Sequence, residues 1–241
     1  MPEARVSERC FDTVAAMADH LAAEVSSRLR TAVEERGGAL IAVSGGRFSR
    51  HLFEAMSGHR LPWPRITLVL ADERWVDRDD DLSNEKLVRD HLLQGTAADA
   101  RLLGLKGSGI RPEDDQAGIE ATLAALPFPF DLVLLGMGDD GHTASLFPSA
   151  PADELKRALV APDGARVAVI HPPVSTVTRV TLTLPTLLHA RRIVLHIPGR
   201  SKLATYRQAM QAGPIEAMPV RGILRQQTVP VDVLTCEREE P

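Results

Sequence analysis

Cysteine is scarce. Cys10 and Cys236 are the only two in 241 residues, and they stand near opposite ends with no CxxC pair. They offer no metal spacing and fit a reducing compartment. No HExxH and no cysteine–histidine cluster occurs, so no metal site is expected. No apolar run approaches the ~18 residues of a membrane span. The start, Met1-Pro2-Glu3-Ala4-Arg5, lacks the basic-then-apolar pattern of a secretion signal. Charge imbalance is small: 28 Lys and Arg against 32 Asp and Glu leave a net charge of −4 and a pI near 6.1. That argues against a nucleic-acid or membrane-surface partner. Internal repeats and low-complexity linkers are missing too. The expectation is a soluble, cytoplasmic protein long enough to bury a sizeable core.

What is present is alternation. Phe11, Val14, Ala15, Ala18, Leu21, Ala22, Val25 and Leu29 recur at helical steps, ended by Gly37-Gly38. Ala39 to Val43 reads as a buried strand, and Leu52, Phe53 and Met56 mark a helix beyond it. Arg65 to Ala71 is the next strand. Ser83 is placed to cap a helix carrying Leu87, Val88, His91 and Leu92, and Pro112 to start another with Ile119, Leu123 and Leu126. Leu132 to Leu135 is a strand that stops at Gly136. Further strands are expected at Val167 to Ile170, Val180 to Leu184 and Ile193 to Ile197, the last followed by a helix with Leu203, Tyr206 and Met210. Val229 to Leu234 supplies a final strand, with Pro230 confining it to an edge or a start. Strands alternating with helices predict an α/β fold, its sheet mostly parallel and covered on both faces.

In a parallel sheet the strand exits share one edge, where open α/β proteins bind ligands. Four exits carry polar groups: Ser44-Gly45-Gly46, Asp72-Glu73-Arg74, Asp140-Gly141-His142, and Gly199 to Lys202. The third stands in the longest glycine-rich stretch, Gly136-Met137-Gly138-Asp139-Asp140-Gly141-His142, and Ala144 to Phe147 beyond it is expected to start a helix. Taken literally the loop matches G-x-G-x-x-G. Asp139 and Asp140 would meet a pyrophosphate with like charge, and no acidic residue ends a second strand about 20 residues on. The dinucleotide reading is therefore rejected.

His142 is the one histidine in such a loop, and histidine titrates nearest neutral pH. It is the candidate general base. Asp140 either orients its ring or caps the loop. Asp72 is a candidate for a substrate hydroxyl, and Arg74 for stabilising developing negative charge, while Glu73 and Trp75 read as structural. Ser44-Gly45-Gly46 fits three roles: an anion cradle of backbone N–H groups, a plain turn, or a nucleophile elbow one residue short of G-x-S-x-G. Lys202 and Arg179 are phosphate clamps or solvated surface cations. The acidic run Asp77 to Asp81 reads as solvated.

These residues resemble the 6-phosphogluconolactonase family, within the wider group of glucosamine-6-phosphate deaminases and ribose-5-phosphate isomerases. The resemblance rests on Ser44-Gly45-Gly46, on Asp72 to Val76 with Ser83-Asn84, on Gly136 through Pro148, on Arg179-Val180-Thr181, and on Gly199 to Lys202. They come in the family's order across nearly the whole chain. The resemblance implies a single domain over 1–241 and a Rossmann-like sheet. It also implies hydrolysis of 6-phospho-D-glucono-1,5-lactone to 6-phospho-D-gluconate without metal or organic cofactor. His142 would activate water and later protonate the ring oxygen, Arg74 would assist at the charged centre, and Arg179, Lys202 and the Ser44 loop would hold the phosphate. A monomer or weak homo-oligomer is expected. Amino-sugar deaminases continue the Asp-Gly-His core with a glutamate-containing segment, but Thr143 to Pro148 holds no carboxylate. The rivals are such a deaminase or isomerase, and a non-catalytic sugar-phosphate-binding module. One departure stands out: the family's double glycine usually continues Ser-Thr-Pro, whereas Arg47-Phe48-Ser49 follows here. Arg47, at a helix start, is expected to add a charge to the phosphate, the alternatives being solvent or capture by Asp77 to Asp81.

Overall fold

The structure is a computed structural model, and it describes residues 6–173 and 175–238. The chain opens with strand β1 (Val6–Phe11) and helix α1 (Val14–Arg36). Phe11 thus ends a strand instead of starting the helix. Thr13 caps α1 by accepting from the Ala16 N–H at 3.1 Å, and Gly37, at φ 76°, ends it in the left-handed conformation. Then come β2 (Ala39–Val43), α2 (Arg47–Ser57), β3 (Ile66–Leu70), β4 (Asp72–Arg74), α3 (Asn84–His91), β5 (Arg101–Leu103) and α4 (Pro112–Ala124). The second half runs β6 (Leu132–Gly136), α5 (Ala152–Val160), β7 (Val167–Ile170), β8 (Arg179–Leu182), α6 (Leu184–Leu188), β9 (Ile193–Pro198), α7 (Arg200–Met210), α8 (Arg221–Leu224) and β10 (Val231–Cys236).

Seven strands form the main sheet in the order β1-β10-β9-β6-β2-β3-β5, every pair parallel. All five residues of β2 are buried. Successive strand side chains point to opposite faces, so both faces of the sheet are covered, as the alternation predicts. Each buried Leu, Ile or Val side chain among them contributes about 1.5–3 kcal/mol relative to exposure. β10 lies between β1 and β9, so it is no edge strand; Pro230 precedes it, and only its carbonyl is used, accepting from the Ile193 N–H.

A smaller antiparallel sheet, β4-β8-β7, branches off after β3. Ala71 is the branch point. Its N–H bonds the Val43 carbonyl of the main sheet, and its own carbonyl accepts from Leu182 of the small one. Val167–Ile170 and Arg179–Leu182 therefore belong outside the parallel sheet. Arg179 consequently faces Arg74 in register across β4 and β8.

The expected helix start at Ala144 to Phe147 is corrected: no helix follows β6 until α5. Ala144 sits at φ 47°, in the left-handed region that ends a right-handed helix. The Ser145 N–H is bonded to Thr181 Oγ1 and its hydroxyl to Asp72, so side-chain partners replace helical ones. Likewise β3 exits into β4, so two of the four polar exits join strand to helix and two do not.

Candidate active site

The four exits belong to β2, β3, β6 and β9, which are neighbours in the sheet. Their loops enclose a cleft of about 420 Å³. Ser44, Gly45, Gly46, Arg47, Asp72, Arg74, His142, Arg179 and Lys202 all line it, and Asp140 reaches it through His142.

The β6 loop closes on itself. The Gly138 N–H donates to the His142 carbonyl at 2.9 Å and the Gly141 N–H to the Gly138 carbonyl at 3.0 Å. Thr143 Oγ1 donates back to Gly136, and Val220 N–H to Gly141. These N–H groups serve the loop, and Asp139 is bonded by the Ser201 hydroxyl at 2.8 Å, in keeping with the rejected dinucleotide reading. Gly138 has a close-approach reason to be glycine: a Cβ there would overlap the His142 ring.

Asp140 performs both roles open to it. Oδ1 accepts the His142 backbone N–H at 3.0 Å and lies 2.5 Å from His142 Nδ1. Burial works to raise the Asp140 carboxyl, but the bonds from His142 prevail and hold it below the usual carboxylate range. Asp140 is therefore the acceptor and Nδ1 the donor, so Nε2 is the ring nitrogen that Asp140 does not engage. The Phe147 ring packs against the His142 ring, with centroids 4.4 Å apart.

Ser44 Oγ accepts the Gly136 N–H at 3.1 Å, tying the β2 exit to the β6 exit. Among the described residues it has no histidine partner of the kind a nucleophile elbow uses. Asp72 is buried, with Oδ2 bonded by Ser145 Oγ at 2.5 Å and Oδ1 approached by Asn84 Nδ2 at 3.4 Å. Arg74 donates from Nη1 to the Leu82 carbonyl and to Asn84 Oδ1, at 2.8 and 2.9 Å. Arg179 is held by the Val177 carbonyl and Ser175 Oγ. Burial first, and then the charge of Arg74, lowers the Arg179 pKa. Two guanidinium groups side by side in a half-buried cleft favour an anion between or beside them.

Glu73 is structural, as expected. Its carboxylate accepts the N–H groups of Arg74, Asn84 and Glu85 and the Ser83 hydroxyl, so it caps α3 from β4. Trp75 donates to the Ile110 carbonyl, with Lys106 over its ring. Asp77 to Asp81 are exposed. Three cleft residues escaped the sequence reading. Asn84 enters the sequence analysis only as part of a signature, Phe48 only as a departure, and His196 not at all. The available signal for His196 was an imidazole inside an otherwise apolar strand. Among the described residues, no group of three or more His, Cys, Asp or Glu is arranged to hold a metal ion, and no helix is long and apolar enough to cross a membrane.

The chain also resembles known proteins. A family model described as glucosamine-6-phosphate isomerases/6-phosphogluconolactonase matches residues 12–231. A 6-phosphogluconolactonase of Pseudomonas aeruginosa is 44% identical over 223 residues, 92% of either chain. One of Rhizobium meliloti is 37% identical, covering 92% of this chain and 95% of its own. The crystal structure of a 6-phosphogluconolactonase from Shewanella baltica superposes with a TM-score of 0.93 at 40% identity, over 98% of this chain and all of that one.

Proposed function

The chain belongs to the family of glucosamine-6-phosphate isomerases and 6-phosphogluconolactonases, and from that premise we propose how its cleft works. The protein is a 6-phosphogluconolactonase: it hydrolyses 6-phospho-D-glucono-1,5-lactone to 6-phospho-D-gluconate in the oxidative pentose phosphate route. The observation that carries the mechanism is the 2.5 Å contact between Asp140 and His142 Nδ1 in a cleft lined by Arg47, Arg74, Arg179 and Lys202.

With Nδ1 engaged, His142 Nε2 takes a proton from water as the water oxygen attacks the lactone carbonyl carbon. Arg74 stabilises the oxyanion that forms. On collapse, the C1–ring-oxygen bond breaks and His142 returns its proton to the leaving oxygen, regenerating the neutral base. Lys202, Arg179 and the Ser44-Gly45-Gly46 loop hold the phosphate, with Arg47 adding charge at the start of α2. Asp72, already bonded to Ser145, is left to meet a substrate hydroxyl with its remaining lone pairs. The whole of 1–241 acts as one domain, as a monomer or weak homo-oligomer.

The test follows proton release from freshly prepared 6-phosphogluconolactone with and without protein, since the lactone also opens spontaneously. Catalysed release above the spontaneous rate is expected. A rate equal to the protein-free one, from folded protein, would sink the assignment.

A further inference from the structure

His196 lines the cleft yet takes no part in the chemistry above. It stands on β9 opposite Gly136 of β6 and is 4% exposed. Every other residue of Ile193–Pro198 is apolar, and burying an imidazole unmatched is costly. Its Nδ1 is enclosed, with no hydrogen-bond partner among the described residues. The ring packs at 4.5 Å on Phe48, in the first turn of α2, and it feels the charge of Lys202, in the first turn of α7. His196 is thus held between the starts of two 11-residue helices. Each begins after a glycine at positive φ (Gly46 at 121°, Gly199 at 96°), with no side-chain cap and no acidic residue in its first turn. Two such helix starts and a lysine together favour an anion.

We infer that His196 is a further substrate-binding residue, whose neutral imidazole donates an Nε2–H bond to the phosphate of the substrate. An enclosed, unmatched N–H is rarer in folded proteins than an enclosed bare acceptor. The proton therefore sits on Nε2, the nitrogen left for the cleft. Burial and Lys202 lower the imidazole pKa to about 3, so it stays uncharged at working pH. Neutrality suits the place: a second cation beside Lys202 would repel it, whereas an uncharged N–H adds a bond to phosphate without that repulsion. Gly136 supports the fit, since a Cβ there would lie 3.0 Å from His196 Cε1 and push the ring away. This inference rests on the phosphate subsite of the proposed function.

The experiment compares wild type, His196→Leu, His196→Gln and Lys202→Ala on 6-phosphogluconolactone and on unphosphorylated gluconolactone. His196→Leu should lower kcat/KM for the phosphorylated lactone about 10-fold or more, through KM, with little change on the other substrate. His196→Gln, which keeps an N–H donor, should recover much of the loss. If Lys202→Ala loses the preference for phosphate while His196→Leu retains it, whether by harming neither substrate or both equally, the role of His196 is refuted and the phosphate subsite stands. If neither variant changes the preference, the subsite itself is misplaced. Nitrogen-15 histidine NMR of the wild type decides independently of variant folding. The neutral Nε2–H tautomer should be present, and its proton should shift and exchange more slowly on saturation with 6-phosphogluconate. An Nδ1–H tautomer, or an unresponsive Nε2–H at saturation, overturns the proposal.

Discussion

A histidine serves as a general base when one ring nitrogen is engaged by a fixed acceptor and the other faces the reacting atoms. Asp140 supplies that acceptor for His142. His142→Asn should preserve the fold and lower kcat by about 10²–10⁴, the usual contribution of such a group; a folded variant at wild-type rate would refute the mechanism. The Asp140 carboxyl is depressed in the folded state, so its contribution to stability is present above the ordinary value of 3.8 and is lost as pH falls through the lower folded value. Denaturant titrations of wild type and Asp140→Asn should accordingly differ at pH 7 and converge in strong acid. Arg47, exposed as the first residue of α2, tests the phosphate end of the cleft. Replacing it with the family's hydroxyl, Arg47→Ser, should raise KM for the phosphorylated lactone and make KM less sensitive to salt. An unchanged KM at low and high ionic strength would remove Arg47 from the phosphate site.

Elements are joined here by a few buried polar groups, and the junction of β4 with α3 depends on Glu73. Its 1%-exposed carboxylate satisfies three backbone N–H groups and one hydroxyl at the turn that also delivers Arg74 and Asn84. Glu73→Ala would leave those donors buried and unmatched, at about 1–3 kcal/mol each. A loss of at least ~2 kcal/mol in unfolding free energy is expected, together with a rise in KM as Arg74 loosens. Burial raises the Glu73 pKa, against the backbone bonds that lower it. The sign is opposite to that of Asp140: the stability linked to Glu73 is full below the ordinary 4.5 and declines as pH rises through the folded value. The Glu73→Ala penalty should therefore be larger near pH 4 than at pH 7, and equal penalties at both would contradict the burial argument.

At the scale of the molecule, a net charge of −4 repels an anionic substrate weakly, while Arg47, Arg74, Arg179 and Lys202 attract it over the width of one cleft. Attraction that local is screened once the Debye length falls to a few ångströms, from about 10 Å at 0.1 M salt to about 3 Å at 1 M. Stopped-flow or steady-state kcat/KM for the phosphorylated lactone should fall steadily over that range, and that for unphosphorylated gluconolactone should stay level. Parallel salt responses for the two substrates would show that these cations do not act on the phosphate.

The sequence by itself determined the α/β alternation, the extent of the β2 strand, the glycine end of α1, the capped start of α3, and the edge at which the polar residues gather. Those features depend on residues a few positions apart, and local periodicity and turn chemistry are written in order along the chain. It also marked eight residues that line one cleft, because parallel strands bring their exits to one edge whatever their separation in sequence; Arg179, on the small antiparallel sheet, was marked largely by the family resemblance. Only the tertiary structure decided that β4, β7 and β8 leave the main sheet, that Ala144 turns away from a helix, and that Arg74 faces Arg179. Each of these depends on a partner far along the chain: Ser145 finds Asp72 across 73 positions, and Ala71 divides its two hydrogen bonds between Val43 and Leu182. β1 and β5 escaped for a related reason, since both lie at the sheet's edges with short or exposed patterns that carry little periodic signal. His196 is the sharpest case: an imidazole within an apolar strand reads as core until the starts of α2 and α7 are folded around it.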